Sequence, residues 1–221
     1  MRFDDVPGAT FLPGLVIDGG TLVVDRERLL YPGDLLHESG HLAVMFPARR
    51  ARANGNLEVT LGDEICAIGW SYAAALAAGI DAAIVFHAGG YRGASNWFVE
   101  SFAQGRNVGG VPMLQYLGLT YDDVRARERG VTPYPAMRAW RAGGPDEAGR
   151  TPRLVATADD VPPGKTTRVT VAGKDLLLRN DAGLFSASAA GGDRGTKPDR
   201  GAEPEYPVLV DLADVYVYAA G

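Results

Sequence analysis

The chain has 221 residues, 46% hydrophobic and 22% charged, with a formal net charge of −5. That is the composition of a globular protein with one large or two small domains, and no run of about 18 apolar residues offers a membrane span. An acidic balance without a basic run argues against nucleic acid as a partner. The opening segment MRFDDVPGATF carries acids where an export signal needs a basic start and an apolar core, so a cytoplasmic location is expected. A single cysteine, Cys66, excludes an internal disulfide framework and any multi-cysteine metal site. Of only three histidines, His37 and His41 stand four residues apart.

In chain order, GLVIDGGTLVV over 14–24 reads as two β-branched runs around Asp18-Gly19-Gly20, a tight hairpin. Pro32 suits a first helical turn, and Leu35, Leu36, Leu42, Ala43 and Val44 support a helix over 33–45. Residues 48–57 read as a polar loop. Thr60-Leu-Gly-Asp63 matches a capping box opening a long helix that Gly79 stops. Asp81 is expected to cap a short helix over 82–87, ahead of a glycine loop at 89–93. Further short helices are expected at 95–103, 112–118, 121–129 and 135–141, with Ser95 and Thr120 as caps and Pro112 in a first turn. Trp70, Tyr72, Trp97, Phe98 and Phe102 read as core aromatics, and Cys66 as buried and inert.

Residues 143–152 read as a linker. Beyond it the period shifts towards two: Thr167–Val171 and Asp175–Leu178 flank Ala172-Gly173-Lys174, and a second turn at 180–183 precedes Leu184–Ser188. A low-complexity loop over 189–205 separates these from closing strands at Pro207–Val210 and Val215–Tyr218. The fold class is therefore α+β. A mainly helical metal-binding domain with a short N-terminal hairpin (1–146) precedes a small antiparallel β module (153–221).

The chemistry concentrates at His37-Glu38-Ser39-Gly40-His41, an HExxH sequence on the first expected helix. Residues i and i+4 share a helical face, so both imidazoles can reach one metal ion. Glu38, turned by about 100°, borders that face and can act on water without taking a ligand position. Gly40 is small enough for another element to pack close. The third ligand lies between Asp63 and Glu64. If Asp63 completes the capping box, Glu64 is free to serve, 23 residues after His41. His87 and Tyr91, beside the glycine loop, are candidate oxyanion stabilisers; His87 can also stand behind a ligand or be a fourth one.

The helix LLHESGHLAV followed by a glutamate on a second helix resembles the gluzincin-type zinc metallopeptidases over residues 33–65. The resemblance implies His37, His41 and Glu64 as zinc ligands and Glu38 as the base that activates water. The later segment VATADDVPPGKTTRVTVAGKDLLLRNDAGLFSASA is similar to the opening strands of Rieske-type domains. Those domains hold a [2Fe–2S] cluster on two cysteines and two histidines, whereas here no Cys follows Cys66 and no His follows His87. A Rieske-like module in this chain would carry no cluster.

The leading expectation is a zinc-dependent hydrolase acting on an amide or peptide-like carbonyl of a small-molecule or peptide substrate, with a homodimer left open. Two alternatives keep the same residues. One is a non-haem Fe2+ oxygenase on a two-His, one-carboxylate set; the other is a non-catalytic binding protein that a metal braces.

Overall fold

The computed structural model describes residues 1–6, 8, 10–55, 57, 59–105, 110–191 and 206–220. The protein mixes helices with small, mainly antiparallel sheets, and the chain divides into two units, Met1–Ala142 and Gly143–Gly221. No helix among the described residues is long and apolar enough to cross a membrane.

The first unit opens with β1 (Arg2–Phe3), β2 (Leu15–Asp18) and β3 (Thr21–Val24), in the order β1-β3-β2. The hairpin expected from its glycine pair is present. Asp18 stands opposite Thr21, and Gly19 and Gly20 take φ of +54° and +72°, the left-handed pair that a two-residue turn requires. The short β1 adds to β3 in parallel; two residues give no periodicity from which to predict it.

Helix α1 (Asp34–Val44) follows, and its start is set by close packing: a Cβ on Gly33 would lie 1.9 Å from the Ile84 carbonyl oxygen. Met45 and Phe46 are extended, Phe46 because a residue before proline avoids helical backbone. Helix α2 (Pro47–Arg52) then replaces the polar loop expected from 48 onwards. Pro47 fits the first helical turn, and alanine and arginine are strong helix formers without any apolar stripe. Arg50 explains why α2 stays docked: its guanidinium donates to the carbonyls of Leu42, Met45 and Ala142, satisfying groups that the end of α1 leaves open.

Helix α3 (Leu61–Ala77) has the expected capping box. Thr60 Oγ1 accepts from the Asp63 N–H at 3.1 Å and the Asp63 carboxylate accepts from the Thr60 N–H at 2.9 Å. Gly79, at φ +68°, terminates the run. Asp81 caps α4 (Ala82–Val85), and α5 (Ser95–Ala103), α6 (Val111–Tyr116) and α7 (Asp123–Arg129) complete the helices.

Three local expectations need correction. Ser95 is not a cap; its hydroxyl donates to the His87 carbonyl at 2.6 Å. The cap of α7 is Asp122, while Thr120 is buried and donates to the Ala136 carbonyl. No helix forms over 135–141. Prolines at 133 and 135 bias their predecessors away from helical backbone, and the Arg138 N–H is spent on the distant Leu119 carbonyl. Among the core aromatics, Trp70, Tyr72 and Phe102 are buried, but Trp97 is exposed. Cys66 is buried, as expected, and burial pushes its thiol up to about 12.

The second unit contains β4 (Thr151–Thr157), β5 (Thr166–Val171), β6 (Lys174–Asp181), β7 (Leu184–Ala189), β8 (Val208–Asp211) and β9 (Asp214–Ala219). They form two antiparallel sheets, β4-β9-β8 and β5-β6-β7. One core serves both: Val171, Leu176 and Leu178 pack with Val215, Val217 and Ala219. β4 begins inside the span read as linker. Of the loop read over 189–205, residues 192–205 lie outside the described residues.

Candidate metal centre

The centre is assembled where α1 crosses α3, and the crossing depends on Gly40. A Cβ there would sit 2.9 Å from the Ala67 carbonyl oxygen, 3.0 Å from Ser71 Oγ and 3.2 Å from the Trp70 ring. The missing side chain lets the helices approach, and the residues flanking it in the motif then face the first turn of α3. His37 Nε2 and His41 Nε2 lie 3.2 Å apart, their rings nearly perpendicular. Glu64 addresses both, with Oε1 3.5 Å from His37 Nε2 and Oε2 3.3 Å from His41 Nε2.

Two other carboxylates compete for a place. Glu38 brings an oxygen within 4.8 Å of the donor atoms of His37 and His41, so His37, Glu38 and His41 also form a candidate metal group. Glu64 is nearer to both rings, which favours it as third ligand and leaves Glu38 beside the set. Asp63 is engaged elsewhere, in the capping box and in a two-pronged contact with Arg49 at 2.8 and 2.9 Å. The choice that capping logic made between the neighbours thus agrees with their positions.

Electrostatics fit a neutral His37 imidazole next to an ionised Glu64 carboxylate. Burial first and the nearby His41 second, against the opposing charge of Glu64, lower the His37 pKa to about 4. A hydrogen bond from His41 holds the Glu64 carboxyl below its ordinary value against the opposing effect of burial. Burial raises the Glu38 carboxyl; His41 pulls it down, and the charges of Asp34 and Glu64 raise it again. Neutral imidazole is the form that binds a metal.

The loop after α4 completes the surroundings. Tyr91 Oη lies 3.2 Å from His37 Nδ1, the nitrogen facing away from the convergence point, so the hydroxyl can accept from an Nδ1–H and fix the ring. Burial, followed by the charges of Glu64, Asp34 and Glu38, holds the Tyr91 phenol well above its usual range, so it remains protonated. Tyr91 and Arg92 take φ of +53° and +51°, and two successive non-glycine residues in this region store strain that the surroundings must hold. His41 Nδ1 is buried with no hydrogen-bond partner among the described residues, so packing orients that ring.

His87 does not join the two other histidines. Its Nε2 is 2.9 Å from Asp34 Oδ1 and its ring stacks on Tyr31 at 3.9 Å. Asp34, in the first turn of α1, was hidden from sequence reasoning because an acid there is already explained by the helix dipole. The signal was its spacing, one turn ahead of His37 and Glu38. These groups open into a cleft of about 1060 Å3 lined by Asp34, His37, Glu38, His41, Glu64, Tyr91 and Arg92 on its polar side. Phe11, Leu12, Leu15, Ile17 and Leu61 contribute to its apolar side.

Comparison with known proteins finds no matching family model, no matching curated protein and no matching solved structure.

Proposed function

We propose that the first unit is a zinc-dependent hydrolase that activates water for attack on an amide carbonyl, with His37, His41 and Glu64 as ligands and Glu38 as general base. The observation that carries this reading is the spacing of the donors. Tetrahedral ligands about 2.05 Å from a zinc ion lie about 3.3 Å apart; the two imidazole nitrogens are 3.2 Å apart, with one Glu64 oxygen 3.5 Å from His37 Nε2 and the other 3.3 Å from His41 Nε2. A two-imidazole, one-carboxylate set also describes an Fe2+ site, and metal analysis of the purified chain separates the two. Three ligands leave a fourth position for water, which favours catalysis over a closed, bracing site.

Zinc held there supplies Lewis acidity, lowering the pKa of a coordinated water to about 7. Glu38, its carboxyl raised by burial towards the working pH, takes the proton of the attacking water and returns it to the leaving nitrogen. Tyr91 holds the His37 ring. His87 acts through Asp34, which lines the cleft near Glu38, and an oxyanion-stabilising role falls to Tyr91 before His87.

The second unit is proposed to be Rieske-like in strand layout and free of a cluster, since it contains neither cysteine nor histidine. Glu38→Gln tests the mechanism. The variant should keep its zinc and lose amide-bond hydrolysis by a factor of about 10^2–10^4; full activity would remove Glu38 from the reaction.

A further inference from the structure

Accepting the cleft as a substrate site, we infer that it takes a small N-acyl amino acid, whose free carboxylate Arg92 binds, rather than a segment of extended polypeptide. Two independent observations lead there.

The first concerns the wall where an extended chain would lie. Such a chain is held by adding a strand to an exposed sheet edge, and β2 is the edge strand facing the cleft. Part of its outer edge is already in use. The Leu15 N–H donates to the Leu12 carbonyl at 3.1 Å, and the Ile17 carbonyl accepts from the Gly55 N–H at 2.7 Å. At the end of the same strand the hairpin donates from Gly19 N–H to Asn54 Oδ1 and from Gly20 N–H to the Ala53 carbonyl. The protein's own residues 12 and 55 therefore already hold the Leu15 N–H and the Ile17 carbonyl, two groups that a peptide backbone added to this edge would use. What remains is an apolar wall of side chains, Phe11, Leu12 and Leu61 among them, suited to an apolar acyl group.

The second concerns charge. Asp34, Glu38 and Glu64 line the cleft, and against them stands one guanidinium, Arg92, the only Arg or Lys among the described lining residues. No carboxylate among the described residues pairs with it, and among the described arginines without such a partner it alone lines the cleft. Its backbone is fixed in the left-handed region directly after Tyr91, whose hydroxyl sits on His37. The residue that carries the cation thus directly follows the tyrosine that contacts the donor set. A planar, two-pronged donor matches a carboxylate.

The test uses N-benzoylglycine and its uncharged partner N-benzoylglycinamide. Binding is followed by NMR titration to the full chain, both zinc-loaded and metal-free, with zinc affinity measured separately by chelator competition. The wild-type chain should bind the acid about tenfold more tightly than the amide. Arg92→Gly, which relieves the strained backbone while removing the cation, should erase that preference, and Arg92→Lys should restore part of it. An acid preference that survives in Arg92→Gly, or is absent from the wild type in both metal states, overturns the inference. Loss of zinc binding together with a retained, Arg92-dependent preference would overturn the hydrolase reading and leave the carboxylate site standing. A peptide blocked at both ends that competes as well as N-benzoylglycine would overturn the preference for a small substrate.

Discussion

Replacing Gly40 by alanine should separate the two halves of the donor set without touching a ligand. The added Cβ would stand 2.9 Å from the Ala67 carbonyl oxygen and 3.0 Å from Ser71 Oγ, where ordinary contact begins at 3.4 Å. Both obstacles belong to α3, and the first is backbone, so α1 and α3 must part by several tenths of an ångström. Overpacking of this kind costs about 1–3 kcal/mol. Alanine also gains about 1 kcal/mol of helix propensity over glycine, which would mask part of the loss. Gly62→Ala supplies the control, because the one tight contact of its Cβ is the far end of the flexible Met113 side chain at 3.1 Å, with Thr60 Oγ1 at an ordinary 3.6 Å. Urea denaturation of the two metal-free variants should therefore place Gly40→Ala about 1–3 kcal/mol below Gly62→Ala. Chelator competition should show zinc affinity about tenfold or more weaker in Gly40→Ala alone, since supporting contacts commonly carry that much. Equal stability of the two variants, with equal zinc affinity, would refute the argument that the crossing at Gly40 sets the ligand geometry.

Other substitutions separate the roles assigned to neighbouring groups. Glu64→Ala should abolish stoichiometric zinc binding, whereas Asp63→Ala should keep it and lose about 1 kcal/mol or more of stability with its capping box; the reverse pattern, read by metal analysis and denaturation, would exchange their roles. Tyr91→Phe removes the hydroxyl on His37 Nδ1 and should weaken zinc binding about 10–100-fold, and an unchanged affinity would free Tyr91 for substrate alone. Burial raises the Asp63 carboxyl, but hydrogen bonds from Arg49 and Thr60 bring it below its ordinary value overall. Its contribution to stability is then full above the unfolded-state pKa of about 3.9 and is lost as pH falls through the lower folded-state value. The stability gap between wild type and Asp63→Asn in the metal-free chain should accordingly narrow below about pH 4; a gap that stays constant would contradict the shift.

Where a short stretch of chain carries its own geometric demand, the sequence was sufficient. Gly19-Gly20 needs positive φ, Thr60 and Asp63 satisfy each other's backbone, and residues four apart share a helical face. These local rules located the hairpin, the start of α3 and the approach of His37 to His41. They also singled out Gly40 as the point of close packing and Glu64 as the carboxylate left free. The misses arise where distant partners decide. Helix α2 has no apolar stripe; its docking depends on Arg50 reaching carbonyls of Leu42, Met45 and Ala142, the last 92 residues away. The stretch 135–141 gave up helix for bonds to Leu119 and for the indole contact between Trp70 and Trp140. Thr120 had the right residue type for a cap but was drawn inwards by Ala136. At the site itself, the pairing of His87 with Asp34 spans 53 residues, and no spacing rule reaches that far. The strain at Tyr91 and Arg92 was equally invisible, because neither residue type announces a left-handed backbone.

Zinc-edge X-ray absorption on the full chain purified without added metal, combined with metal quantitation, tests the central claim most directly. The account predicts one zinc per chain with two imidazole nitrogens and carboxylate oxygen at about 2.0–2.2 Å, and a fourth light ligand that the protein does not provide. It also predicts that the two-imidazole signature disappears in His37→Ala with His41→Ala. A chain that binds no zinc, or binds it with the signature intact in that double variant, would contradict it.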